Sequence, residues 1–423
     1  MIRGATSKLA RHVLLASAVL LAGFLSGRIE LLLLAFPILF AMAWGLAAGE
    51  PPVVELAVSL DEDRCLEGER VEATLTVTAN RHLEAEVGLA VPSAFRVVEG
   101  SARTVVEVWP DQPAIVSIGL LATRWGVHRL GTAAIRLLGT GGFVSFERVH
   151  RDDLDVRVYP RPERIHRGIQ PPDTQVFSGD YVSRVAGDGL EFAEVRPFRP
   201  GDRIRRVNWK VTGRRNELFV NQFHPERNAD VVLFLDTFAD VGPAGSSSLD
   251  LAVRGTAILT RHYLTRKDRV GLIAFGGVLK WLRAAMGQGH VEHIIEYLLQ
   301  VDVALSYAWK DIDVLPRRTL PPMALVIAFS PLEDERAIGA LVDLRARGFP
   351  LVVVDTLDEE LVRPDPSLPL NIPYRAWKLE RESLRFALMS SGIPVVRWSG
   401  REGLEAALAQ APRLRRRVGV GVS

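Results

Sequence analysis

Two carboxylates stand where a buried strand would deliver them for chemistry. Asp236 closes the apolar run 231–235, and Asp240 follows it closely. Between them they offer hard oxygen donors for a divalent cation, or the acid and base of a metal-dependent hydrolytic enzyme. Phe238, midway, can coordinate nothing. Other candidates fall short on spacing. His290, Glu292 and His293 lack the His-Glu-x-x-His arrangement that sets two imidazoles one helical turn apart for zinc, and read as exposed helix residues. Gly242-Pro243-Ala244-Gly245-Ser246 lies between a strand and a helix, where phosphate loops occur. It lacks the Gly-Lys-Ser/Thr ending that holds the terminal phosphates. No Gly-x-Ser-x-Gly elbow is present, and His224 has no evident nucleophile beside it. Cys65 is the single cysteine, which excludes an intrachain disulfide framework and any multi-cysteine metal site. These patterns point away from an enzyme, with Asp236 and Asp240 marking the class-different alternative.

The elements that must position Asp236 alternate in type from residue 229 to 423. Continuous apolar runs predict strands covered on both faces at 231–235, 270–275, 324–329, 351–354 and 395–398. Amphipathic stretches between them predict helices ending near 264, and at 291–299, 333–347 and 380–391, with a short antiparallel edge strand at 278–283. Ser247-Ser248-Leu249-Asp250 resembles a capping box for the first helix. Such alternation implies a doubly wound parallel α/β sheet, whose ligands bind at the carboxyl ends of the strands. Asp236 is at such an end.

The preceding region, 51–160, has a different period. Val71, Ala73, Leu75 and Val77 alternate with Glu72, Thr74, Thr76 and Thr78, and Val54, Leu56, Val58 and Leu60 do the same. Further strand-like runs at 104–109, 114–121 and 154–159, with no helical stretch between, predict an all-β immunoglobulin-like sandwich. It contains no catalytic constellation. Before it, apolar runs at 13–25 and 31–48 are separated only by Ser26-Gly27-Arg28-Ile29-Glu30, so residues 1–50 are expected to form a transmembrane helical hairpin. Arg3, Lys8 and Arg11 precede the first run and Arg28 alone occupies the turn. Positive flanks remain inside, which places a two-helix protein in the inner membrane with its soluble body facing the cytoplasm. Lys+Arg 52 against Asp+Glu 50, with the signs interspersed, excludes a nucleic-acid binder of the basic-patch kind. The one basic run, Arg413 with Arg415, Arg416 and Arg417, reads as a solvated tail.

Residues 161–228 form a linker and a distinctive segment: Gly187-Asp188-Gly189-Leu190-Glu191-Phe192-Ala193-Glu194-Val195-Arg196, then Pro200-Gly201-Asp202-Arg203-Ile204-Arg205-Arg206-Val207-Asn208-Trp209, ending at Arg214. This resembles the signature of the bacterial family called domain of unknown function 58, Gly-x-Glu-Phe…Arg-x-Tyr…Pro-Gly-Asp…Arg-x-Ile-x-Trp. Phe198 stands where the family often has Tyr, and Val207 where it often has Ile. Trp125-Gly126…Arg129-Leu130-Gly131 and Val158-Tyr159-Pro160 look like landmarks of its β module. The resemblance implies a von Willebrand factor A-like domain over 229–423, and a protein partner of the MoxR-type AAA+ ATPase class. It makes Glu191, Arg196, Asp202, Arg205, Trp209 and Arg214 a partner-binding or interdomain cluster, either a salt-bridged plug around Trp209 or a docking surface rich in Arg and Trp.

Von Willebrand A domains often bind Mg²⁺ through Asp-x-Ser-x-Ser after the first strand, completed by a Thr and an Asp on later loops. Here Asp236-Thr237-Phe238-Ala239-Asp240 loses one Ser position to Phe238 and replaces the other with Asp240. Met286-Gly287-Gln288-Gly289 supplies no Thr, and Ala328-Phe329-Ser330-Pro331 supplies no Asp. The expectation is therefore no cofactor and a degenerate metal site at Asp236 and Asp240. The sequence reads as a membrane-anchored protein-binding adaptor or scaffold with no evident small-molecule substrate, a cell-envelope structural protein being the remaining alternative.

Overall fold

The computed structural model describes residues 2–47, 52–110, 112–171, 175–182, 191–199, 202, 204, 207–215, 217–224, 226–303, 320–362 and 371–411. Contacts divide the chain into two units, Met1–Tyr159 and Pro160–Ser423.

The first unit opens with a short strand, β1 (Ile2–Ala5), followed by helices α1 (Ser7–Ser26) and α2 (Ile29–Ala47). Both helices are long and apolar enough to cross a membrane, with mean hydropathy 1.8 and 2.1, and only 11% of each span is buried. Their side chains instead point outward, as Phe24, Phe36 and Trp44 do. A soluble core helix would bury that surface; these two offer it to the surroundings. The strand ahead of them is absent from the sequence expectation. Its four residues carry little pattern, and it forms because β11 (Val144–Arg151) presents a free edge, with Ile2 opposite Glu147 and Ala5 opposite Val144. Arg3 donates to the Leu46 carbonyl at 2.9 Å, and the Thr6 amide to the Phe143 carbonyl at 3.1 Å. The chain entering the hairpin and the chain leaving it are thus fastened at the same end.

The rest of this unit is β structure: β2 (Val54–Leu60), β3 (Arg64–Leu66), β4 (Arg70–Ala79), β5 (Leu83–Leu89), β6 (Phe95–Glu99), β7 (Arg103–Val108), β8 (Ala114–Ala122), β9 (Gly126–Arg129), β10 (Thr132–Leu138), β11 and β12 (Asp155–Tyr159). One sheet runs β1-β11-β10-β5-β7, a second β2-β4-β8-β6, and a small third β3-β12-β9. The alternation read in β4 is its burial pattern, with Val71, Ala73, Leu75 and Val77 inward. Leu75, Ile118 and Leu120 from one large sheet share a core with Val87, Ile135 and Leu137 from the other. Cys65 is buried at its margin. Burial, then the charge of Glu69, pushes its thiol up to about 11, so it stays protonated and inert at neutral pH.

In the second unit β13 (Gln175–Val182) pairs with β16 (Glu226–Asn228), and β14 (Glu191–Pro197) pairs with β15 (Phe219–His224), with α3 (Trp209–Arg215) between the latter two in sequence. The main sheet follows: β17 (Asp230–Thr237), α4 (Ser248–Thr265), β18 (Arg269–Gly276), β19 (Lys280–Ala285), α5 (Gln288–Leu298), β20 (Leu325–Ser330), α6 (Glu335–Ala346), β21 (Leu351–Asp355), α7 (Ile372–Ser390), β22 (Val395–Arg397) and α8 (Leu404–Ala409). Spatial order is β19-β18-β17-β20-β21-β22, a mixed sheet. β19 pairs antiparallel with β18 and the other neighbours pair in parallel.

β17 is buried at every residue because both faces are covered. Phe234, Val326 and Val353 pack with Ala340, Leu341 and Leu344 of α6. On the other face α4 approaches closely at Gly255, where an added Cβ would stand 2.3 Å from the Phe329 ring and 2.8 Å from Trp398. Ser247 caps α4 by accepting from the Asp250 amide, and Asp250 reaches back to the Ser247 amide, a complete capping box. α7 begins at Ile372, eight residues ahead of the position expected from the sequence, because Pro373 falls in its first turn, where a missing N–H is tolerated.

Candidate functional site

β17 touches β18 on one side and β20 on the other, so chain connections leave it in opposite directions and open a crevice at its carboxyl end. Asp236 lies there, 1% exposed. Parallel register sets Leu235 beside Phe329, which brings Ser330 next to Asp236. The Ser330 hydroxyl donates to Asp236 Oδ2 at 2.6 Å, and the Phe238 amide donates to Oδ1 at 3.0 Å. Burial lifts this carboxyl to about 6, against the pull of those two hydrogen bonds. Ser330 Oγ also accepts from the Leu332 amide at 3.0 Å.

Phe238 follows immediately. It meets Phe275 edge-on at 5.1 Å and carries the Arg336 guanidinium over its face at 4.1 Å, while Arg336 also pairs with Asp334. Asp240 turns to another task, accepting from the Leu249 amide at 3.1 Å at the start of α4, where a carboxylate suits the helix dipole. Asp236 and Ser330 therefore offer three oxygens, all already hydrogen-bonded, and no group of three His, Cys, Asp or Glu side chains that could hold a metal occurs among the described residues. Mg²⁺ is ordinarily held through one or two carboxylates with water completing its octahedron, and Asp240, the second candidate carboxylate, is engaged at the start of α4. His290, the other candidate ligand, gives Nε2 to the Val270 carbonyl at 2.7 Å.

One strand further along, the structure builds a site that sequence reasoning missed. Asp355 ends β21 at 1% exposure. Arg381 of α7 holds it bidentately, at 2.9 and 2.8 Å, and its other Nη donates to Glu333 at 2.7 Å and to the Pro331 carbonyl at 2.8 Å. Arg385 reaches Asp355 at 3.4 Å and also pairs with Glu359. Burial raises Asp355, outweighing Arg381 and Arg385 beside it. Buried ion pairs survive only when their spare donors and acceptors are satisfied, as they largely are here. The signal available in the sequence was Arg381, Arg385 and Leu388 at i, i+4 and i+7.

The signature segment divides into a braced part and a displayed part. Arg196 forks Asp202 at 2.7 and 2.8 Å, the Arg199 amide adds a third bond at 2.7 Å, and the Asp202 amide returns to the Arg199 carbonyl at 3.0 Å. Arg196 and the Arg199 amide hold the Asp202 carboxyl down to about 2. Asn208 caps α3 by accepting from the Val211 amide at 3.1 Å, and Val207 buries against the β15 side of the ribbon at Val220. Trp209 and Ile204 are left outside, 67% and 72% exposed. Trp209 stands at the start of α3 with its indole exposed. Lys210, Arg214 and Arg215 are exposed alongside. The backbone of Glu191 pairs with His224 in the ribbon. The side chains of Glu191, Glu194 and His224, and the whole of Arg203 and Arg205, lie outside the described residues.

Residues 194–364 match the family described as "Protein of unknown function DUF58". An uncharacterized protein of Mycobacterium tuberculosis is 29% identical over 196 residues, 44% of this chain and 62% of the relative. Uncharacterized protein YeaD of Bacillus subtilis is 23% identical over 265 residues, 56% of this chain and 60% of YeaD. The chain thus spans about three fifths of the length of the curated relatives it matches. Among solved structures, the complex of human zinc 2-glycoprotein with prolactin inducible protein aligns with 26% of this chain and 98% of that one, at 10% identity and a TM-score of 0.16.

Proposed function

We propose that this protein is a membrane-anchored adaptor that docks a protein partner and does no covalent chemistry itself. The observation that carries the reading is the display of Trp209 and Ile204, 67% and 72% exposed, in the same segment as the Arg196–Asp202 ion pair. An exposed Trp on a preorganised support, flanked by Arg214 and Arg215, has the composition of an interface anchor. The sheet end is consistent with the same reading, since Asp236 accepts from Ser330 and the Phe238 amide while Asp240 accepts from the Leu249 amide at the start of α4.

In this reading the main sheet is a von Willebrand factor A-like domain without its metal, the β unit is an immunoglobulin-like spacer, and the partner is a MoxR-type AAA+ ATPase acting in assembly or maturation of other proteins. α1 and α2 cross the inner membrane as a pair. Arg3 lies before α1, Lys8 and Arg11 lie in its first turns ahead of the apolar run, and Arg28 alone lies in the turn, so positive flanks keep both ends of the hairpin, and the body beyond it, in the cytoplasm. The fastening of β1 to β11 supports an even number of crossings.

Affinity capture of the detergent-solubilised full chain tests the partner: an AAA+ ATPase recovered in stoichiometric yield is expected, and its absence removes the adaptor reading. A reporter fused after Ser423 tests sidedness, with activity expected only when the reporter is one that works in the cytoplasm.

A further inference from the structure

α7 is built inside out. Its buried residues are Arg381, Arg385 and Leu388, whereas Ile372, Leu379 and Phe386 are 63%, 66% and 70% exposed. Those three recur every seven residues, the repeat that keeps one seam of a helix facing a partner helix. The positions that alternate with them along the same seam, Ala376, Ser383 and Ser390, are small and also exposed. The helix cannot roll to bury this seam, because Arg381 is fixed to Asp355, Glu333 and the Pro331 carbonyl on the opposite side. A row of large apolar residues spaced by small ones and locked outward by buried charge calls for a cover.

We propose that the cover is α7 of a second copy of this chain, pairing in parallel and in register. Heptad logic places large residues (Ile372, Leu379, Phe386) against their own mates, in layers that alternate with small ones. The charges beside the seam select the orientation. Arg375 precedes Glu380 by five residues, the separation at which flanking positions of two parallel helices face each other. Two-fold symmetry forms that Arg375 to Glu380 pairing twice. Full antiparallel overlap would instead set Glu380 and Glu382 each against its own mate, with like charges opposed. The surface is thus complementary to itself in one orientation, a property that an isologous contact requires and that a surface for an unrelated partner does not. This inference stands on α7 alone and is independent of the adaptor reading.

Ser383→Cys tests it in the full chain in detergent micelles, since Ser383 would meet its own mate across the two-fold axis. The native Cys65 is buried, so wild type provides a blank. Mild oxidation of Ser383→Cys is expected to give a disulfide-linked dimer as the main species, and Lys378→Cys, off the seam, is expected to form no cross-link. Adding Leu379→Glu to Ser383→Cys should cut cross-linking about tenfold or more, because a buried charge then opposes its mate; Leu379 is exposed, so the fold itself is spared. Monomers by light scattering with no Ser383→Cys cross-link would overturn the proposal. So would cross-linking that ignores Leu379→Glu, or that is equal at Lys378→Cys.

Discussion

Asp236→Asn gives the sharpest prediction about the sheet end. The wild-type carboxyl is 1% exposed and titrates at about 6 instead of 3.8. A folded-state pKa raised above the unfolded value favours the neutral form, so the stability linked to Asp236 is fully present at low pH and is lost as pH rises through about 6. The shift corresponds to roughly 3 kcal/mol between the acid and alkaline limits. Asparagine can still accept from the Phe238 amide and exchange a hydrogen bond with Ser330, but it carries no charge. Hydrogen exchange of the β17 and β20 amides in the full chain, compared between variant and wild type at each pH, isolates this effect because intrinsic exchange rates cancel. Between pH 4 and pH 8 the variant's protection should rise relative to wild type by a factor on the order of 50 to 100. A ratio flat with pH would refute the desolvation argument. Added Mg²⁺ that protects wild type at pH 8 and leaves the variant unchanged would refute the metal-free account of Asp236.

Other expectations follow from particular contacts. Arg381→Ala leaves Asp355 buried with only Arg385 at 3.4 Å and the Leu357 amide at 3.1 Å, a loss of about 3–5 kcal/mol by thermal or urea unfolding; adding Asp355→Asn should recover part of it. Ser247→Ala removes one half of the α4 capping box and should cost about 1 kcal/mol, read as faster exchange in the first turn of α4. Gly255→Val should be far more damaging, because even a Cβ would lie 2.3 Å from Phe329, and loss of the cooperative unfolding transition is its expected signature.

Parts of this molecule were legible in the sequence because their pattern and their burial have the same cause. β17, β18, β20 and β21 are covered on both faces and read as unbroken apolar runs; β4 is covered on one and alternates. The capping box at Ser247 to Asp250 is local chemistry and was readable as such. α7 was harder. Its inward face carries Arg381 and Arg385 beside Leu384 and Leu388, and its outward face Leu379 and Phe386, so hydrophobic periodicity gives the helix but not which face turns inward. The Asp236–Ser330 contact joins residues 94 positions apart through strand register, which no local motif encodes, and the Asp355 cluster likewise depends on where α7 lands. Trp209 shows the remaining limit: residue type names an anchor or a plug equally well, and its exposure at the start of α3 depends on tertiary structure that no local pattern encodes.

The central claim is that the Trp209 face binds a protein partner, and direct binding of a purified MoxR-type AAA+ ATPase to the full chain in micelles tests it most simply. Saturable binding is expected for wild type. Trp209→Ala should weaken it about 30-fold, the loss of roughly 2 kcal/mol typical of an interface anchor, while leaving thermal stability within about 0.5 kcal/mol because the residue is exposed. Absence of binding by wild type, or equal affinity for Trp209→Ala, would contradict the account.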